Sequence, residues 1–95
     1  RNSVLSQRCT VGEGAEVDYS ILMPGAVVER GARISYAILG ENVRVGADAR
    51  IGAAPEDTPP EEWGITVVGP DASVEGGRVL RANRMLNREG KEMVR

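Results

Sequence analysis

The sequence predicts an all-β fold, a parallel β-helix of about four or five short-sided coils, on three observations. Residues 4–52 are one 17-residue unit written three times: Val4, Ile21 and Ile38 lie 17 apart, as do Leu5, Leu22 and Leu39. Val11, Val28 and Val45, and Val17, Ile34 and Ile51, keep the same interval. Within the unit the aliphatic anchors are spaced 6, 6 and 5, as in Leu5, Val11, Val17 and then Leu22. Self-similarity at a fixed period marks a repeat architecture, and an aliphatic hexad with a small residue four places after its anchor marks a β-helix. The third observation is negative. Gly12, Gly14, Gly25, Gly31 and Pro24 break any amphipathic helix across residues 11–34.

Each element follows from that repeat. Period six is a multiple of the strand period of two, so inward and outward alternation survives on sides only two or three residues long. Coils stack about 4.8 Å apart, which places equivalent residues above one another. Ala15, Ala32 and Ala49 form one small-residue column at a sharp corner, and Ala72 joins it by motif. Gly14 and Gly31 are followed in their column by Asp48, a residue that tolerates left-handed backbone. Tyr19 and Tyr36 are one period apart and are expected to stack outside, with Asn2 in the same column.

Residues 1–10 enter the pattern without the atypical repeat that usually caps a solenoid. Another segment is expected to cover that end. Residues 53–64 break the repeat with three of the five prolines and four acidic residues (Glu56, Asp57, Glu61, Glu62). They read as an inserted loop of solvated carboxylates rather than a metal site, with Trp63 anchoring it against the solenoid. The repeat resumes at Val68, Val74 and Leu80. Residues 81–95 read as a terminal segment without the repeat, either a last strand or a short amphipathic helix on which Arg84 and Arg88 share a face, ending in a frayed tail. The organisation is one β-helix domain over 1–95, read as a piece of a longer protein because it starts in mid-pattern.

Composition narrows the function. A net charge of −2 from 12 basic and 14 acidic residues gives no electrostatic reason for a nucleic acid or an anionic membrane as partner. No apolar run is long enough for a membrane span, and no signal-peptide pattern is present. One cysteine, Cys9, excludes an internal disulfide and favours a reducing, cytoplasmic compartment. It takes the small-residue position equivalent to Ala26 and Val43, which reads as core. There is no histidine. Acyltransferases of this architecture rely on a histidine base and its carbonic anhydrases on histidine zinc ligands, so both classes are disfavoured. No Ser/His/Asp set and no phosphate-cradling glycine motif occurs. The chain carries no catalytic, metal or cofactor site of its own.

The order of these motifs is specific. Asn2-Ser3-Val4-Leu5, Val11-Gly12-Glu13-Gly14 and Tyr19-Ser20-Ile21-Leu22-Met23-Pro24 are followed by Tyr36-Ala37-Ile38-Leu39-Gly40-Glu41-Asn42-Val43. Ile51-Gly52-Ala53-Ala54-Pro55-Glu56-Asp57 and Trp63-Gly64-Ile65-Thr66-Val67-Val68 bracket the interruption. Together they resemble the C-terminal left-handed β-helix domain of glucose-1-phosphate adenylyltransferase. Related sugar-nucleotide pyrophosphorylases, such as mannose-1-phosphate guanylyltransferases, share the hexads.

The resemblance implies a parent enzyme that makes ADP-glucose and pyrophosphate from ATP and glucose 1-phosphate, with Mg²⁺, for glycogen or starch synthesis. Its catalytic domain would lie N-terminal to this chain. The β-helix would support a homo- or hetero-tetramer and help bind a phosphorylated metabolite or nucleotide effector. It equally fits a homologous non-catalytic subunit. Some bacterial members place two arginines four apart in the terminal segment. An ungapped match puts Asn83 and Asn87 there, and a shift of one residue brings Arg84 and Arg88. A family arginine near the third coil falls on Glu41, with Arg44 nearest. Arg44, Arg84 and Arg88 are therefore the candidate effector contacts, and Tyr19, Tyr36 and Trp63 the candidate interface residues.

Overall fold

The computed structural model describes residues 3–54, 56, 58–89 and 91–94. The chain winds as a left-handed parallel β-helix with three faces. With strands numbered in chain order, the first sheet stacks β1 (Val4–Leu5), β4 (Ile21–Leu22), β7 (Ala37–Leu39), β10 (Thr66–Val68), β13 (Arg84–Leu86) and β14 (Glu92–Val94). The second holds β2 (Thr10–Val11), β5 (Val27–Val28), β8 (Arg44–Val45) and β11 (Ser73–Val74). The third holds β3 (Glu16–Asp18), β6 (Arg33–Ser35), β9 (Arg50–Ile51) and β12 (Val79–Leu80).

Register follows the 17-residue period. Val4 pairs with Ile21 and Ile21 with Ile38; Val11 pairs with Val28 and Val28 with Val45. The backbone bonds run from coil to coil: the Gly12 N–H donates to the Val28 carbonyl at 2.7 Å and the Val27 N–H to the Val43 carbonyl at 2.8 Å. Inward positions therefore superpose as columns. Leu22, Leu39, Val68 and Leu86 make one, Val28, Val45 and Val74 the second, and Ile34, Ile51 and Leu80 the third, all buried. The first coil repeats the pattern without the burial. Leu5 is 53% exposed and Val11 39%, because no coil stacks over them among the described residues.

The small-residue corner is real, with one correction. Ala32 and Ala49 are fully buried and Ala15 packs against the core. Ala72, however, belongs to the next corner column, above Val43, since its carbonyl accepts from the Arg44 N–H while the Arg50 N–H turns to the Arg78 carbonyl. The motif made Ala72 look equivalent; the hydrogen bonds assign it elsewhere. Cys9 lies in that same column, half-buried, its thiol 3.2 Å from the Met23 carbonyl.

The five-residue corner is too short for backbone alone to satisfy its neighbours, and hydroxyls fill in. The Ala37 N–H donates to Ser20 Oγ at 3.1 Å, and Ser20 Oγ donates to the Asp18 carbonyl at 2.8 Å. The Ser20 N–H donates in turn to Ser3 Oγ at 3.1 Å, and Thr66 Oγ1 donates to the Arg81 carbonyl at 2.7 Å. Ser20 and Thr66 are thus buried but paired. Just before Ser20 and Ala37, Tyr19 and Tyr36 adopt φ of 50°, a left-handed conformation that costs a non-glycine residue about 1–2 kcal/mol.

The inserted loop leaves the register intact. Val67 pairs with Ile38 and stands 29 residues after it, the 17-residue period plus the 12 residues of 53–64. The chain departs at Gly52, whose φ is 77° and whose Cβ position would fall on the Ser35 carbonyl oxygen. Only glycine fits so close an approach in that conformation. The loop contains a 3₁₀ turn at Pro60–Glu62.

The terminal segment differs from expectation in two ways. Residues 84–86 do not leave the repeat: β13 pairs in parallel with β10, Val67 against Met85. This is the last-strand alternative rather than the helix, so Arg84 and Arg88 share no helical face. The tail is not simply frayed either. It folds back as β14, antiparallel to β13, and Glu92 reaches Arg84 at 3.1 Å and Arg78 at 3.9 Å. That hairpin covers the last edge of the first sheet. Asn2, Pro55 and Asp57, which the sequence also assigned, lie outside the described residues.

Two stability outcomes follow from these placements. Leu22→Ala is expected to destabilise the fold by about 2–5 kcal/mol, and Leu5→Ala in the same column by less than half of that, measured by urea unfolding. Ser20→Ala strands the Ala37 N–H and is expected to cost about 1–3 kcal/mol. Equal losses for the two leucines, or none for Ser20, would contradict the column and corner assignments.

Candidate functional site

The three candidate arginines arise on different elements. Arg44 points outward from β8, between Val27 and Ser73, and its guanidinium meets Glu29 at 3.2 Å. Arg84 begins β13 on the inward side; it is only 16% exposed at the side chain and donates from Nε to Glu92 at 3.1 Å. Arg88 follows in the turn after β13, 70% exposed, 4.0 Å from Asp71. Each is thus faced by a separate carboxylate instead of converging on one anion position. The exposed pairs contribute little to stability, about 0–1 kcal/mol. Arg88 is the least engaged of the three. It borders a cavity of about 280 Å³ with apolar walls from Val67, Met85, Leu86 and Pro70.

The tyrosines come together as expected. Tyr19 and Tyr36 stack with ring centroids 5.0 Å apart and planes 16° from parallel. They form one wall of a cleft of about 310 Å³ whose other sides include Glu16, Asp18, Arg33 and, from the loop, Glu56. Arg33 bonds Glu16 at 3.3 Å across the outer face of the third sheet. Partial burial pushes the Tyr36 phenol above its ordinary value of 10.0, and Glu56, Tyr19 and Asp18 add to the rise. The sequence places the stack through its period, but not Glu56, which the loop carries back over the coil. Trp63 is half-exposed, and its indole N–H donates to the Thr58 carbonyl within its own loop at 2.8 Å. It shares a small hollow with Tyr36, Ile65 and Ala82.

Chemically, this surface offers aromatic stacking, single ion pairs and apolar walls. Among the described residues no three side chains of metal-binding type gather. No helix among them is long and apolar enough to cross a membrane.

The raised Tyr36 ionisation gives a pH outcome. A phenol whose folded pKa lies above its unfolded one leaves stability untouched below pH 10.0 and erodes it as pH rises through that value. In a Tyr19→Phe background Tyr36 is the sole tyrosine, and near-ultraviolet titration is expected to show Glu56→Gln lowering its midpoint. An unmoved midpoint would mean Glu56 does not face the ring.

Comparison with known proteins agrees with the geometry. The profile of the family described as GlmU-like, C-terminal hexapeptide matches residues 1–68. Glucose-1-phosphate adenylyltransferase of Desulfitobacterium hafniense is 38% identical over 80 residues, 84% of this chain and 20% of the relative. The protein of the same name from Acetivibrio thermocellus is 38% identical over 92 residues, 92% of this chain and 22% of its own length. The chain therefore spans about a fifth of these relatives. A solved structure, the acetyltransferase domain of PglB from Neisseria gonorrhoeae FA1090, is 18% identical with a TM-score of 0.39 over 90% of this chain and 51% of its own. That likeness is too distant to inform function. With its hexad columns in three parallel sheets and the profile match over most of its length, the chain belongs to the GlmU-like C-terminal hexapeptide family.

Proposed function

We propose that this β-helix is the C-terminal, non-catalytic domain of a glucose-1-phosphate adenylyltransferase, an enzyme that makes ADP-glucose and pyrophosphate from ATP and glucose 1-phosphate for glycogen or starch synthesis in the cytoplasm. The observation that carries the reading is the 38% identity to two relatives of that name, which in one case extends over 92% of this chain. The described candidate residues offer ion pairs and an apolar-walled cavity. Mg²⁺ and the reacting substrates belong, in this reading, to the catalytic domain outside these 95 residues.

The domain's own roles in this proposal are assembly of a tetramer and a share in binding an anionic effector. Arg88 supports the second role best, because it is exposed, loosely paired and beside an open cavity. Arg44 and Arg84 would first have to leave Glu29 and Glu92. That engagement favours a second reading, a scaffold in a non-catalytic subunit or in a related sugar-nucleotide pyrophosphorylase.

The decisive experiment uses the polypeptide that carries this domain. Supplied with ATP, Mg²⁺ and glucose 1-phosphate it is expected to form ADP-glucose, whereas residues 1–95 alone form none. No ADP-glucose from the longer protein would overturn the enzyme assignment. Arg88→Ala is expected to weaken activation by phosphorylated metabolites about tenfold without lowering the unactivated rate, while an unchanged effector response would remove Arg88 from that role.

A further inference from the structure

On the third sheet the outward column reads Glu16, Arg33, Arg50 and Val79. Arg33 is matched by Glu16 at 3.3 Å. Arg50 stands one rung further on, across from Val79. Past Val79 the inward Leu80 pairs with Ile51, so Arg81 comes out level with Gly52. Two residues of strand at about 3.3 Å each and one coil spacing of about 4.8 Å put the Arg50 and Arg81 Cα atoms about 8 Å apart. Both side chains are exposed on the same side of the solenoid, and Gly52, a neighbour of both, has no side chain to fill the space.

The inserted loop completes the enclosure. Thr58 and Pro59 return beside Gly52 and, with Val79, wall a cavity of about 430 Å³ that Arg50 and Arg81 both border. That volume suits a small molecule, whose sites run to about 300–1,000 Å³. None of the described residues that line it carries a carboxylate. Arg33, Arg44, Arg78, Arg84 and Arg88 each lie within 4.0 Å of one. Among the described residues Arg50 and Arg81 make no such pair, although the chain has 14 acidic residues against 12 basic. Two like charges this close repel, and an anion between them replaces that repulsion with attraction.

We infer that Arg50 and Arg81 bind the phosphoryl group of a small organic phosphate, whose carbon portion lies against Pro59 and Val79. Guanidinium forks pair with phosphate oxygens two at a time, and a dianion has oxygens and charge enough for both. The wall supplies the rest of the recognition. Val79 is 63% exposed, and apolar ligand surface laid on it is removed from water. Arg88 and Asp71 border a different cavity, so this position is separate from the effector contact proposed above and does not depend on the enzyme assignment.

Titration of the chain with phenyl phosphate, followed by backbone amide NMR, tests the site. The expected result is saturable shifts at Gly52, Val79 and Arg81, with a dissociation constant of about 0.1–1 mM that rises with salt. Inorganic phosphate is expected to shift the same amides at least about threefold more weakly, because it leaves the apolar wall bare. Arg50→Ala and Arg81→Ala are each expected to raise the dissociation constant at least about tenfold. Should either lose its native circular dichroism, Arg50→Gln and Arg81→Gln keep the stem and remove the charge. Arg30→Ala, an equal loss of charge at another exposed corner, and Arg88→Ala are expected to leave binding unchanged. Absence of saturable shifts at Gly52 and Arg81 overturns the inference. So does a loss with Arg30→Ala as large as with Arg50→Ala, which would mean general charge attraction, and so does inorganic phosphate binding as tightly as phenyl phosphate. Shifts confined to Asp71 and Arg88, lost in Arg88→Ala, would retain the effector contact and discard this site.

Discussion

Coil-on-coil register is the constraint on which this molecule depends. Apart from the closing β13–β14 hairpin, each short strand finds its partners in the coils above and below it, so no side of the solenoid is stable alone. Register in turn decides what the core can be. A residue superposed on its equivalents must suit them in size, which is why the inward columns hold Leu, Ile and Val while the corners hold mostly smaller residues, Ala15, Ala32 and Ala49 in one and Cys9, Ala26, Val43 and Ala72 in the other. The first coil shows the dependence directly. Its anchors are the same residue types as those below, yet they stay open to solvent. Burial here is a property of neighbours rather than of side chains.

The corners carry the exceptions. The corner that closes each coil after five residues rather than six leaves backbone donors that a neighbouring carbonyl does not meet, and the serine hydroxyls accept them. The same corner forces two tyrosines into left-handed backbone, and their stacking offsets part of that cost. In the last coil the spacing relaxes to three sixes, from Val68 to Val74, Leu80 and Leu86, and Asn83 takes the left-handed position instead.

The architecture was legible because a period is a statement about geometry: the 17-residue interval specifies which residues superpose, and so the core columns and the tyrosine stack. What was not legible required a path through space. Glu56 reaches Tyr36 only because of how the loop returns. Ala72 matched its motif but not its column, since a hexad does not say which side of the triangle it occupies. Arg84 and Arg88 suggested a helical face only on the assumption of 3.6 residues per turn; in a strand followed by a turn their spacing carries no such meaning. The hairpin that Glu92 holds shut joins residues 8 and 14 apart through side chains, and no local pattern announces it.

The interruption at 53–64 has a wider consequence. The solenoid resumes in register on the next rung, so the passenger it carries is uncoupled from the lattice that carries it. Lengthening a flexible loop costs only about 0.6 kcal/mol per doubling, while a single residue added within a strand would turn every inward side chain after it outward. The molecule therefore separates a part that heredity must copy strictly from a part it is free to rewrite. New recognition chemistry grafted at Gly52 inherits a finished scaffold without renegotiating its core.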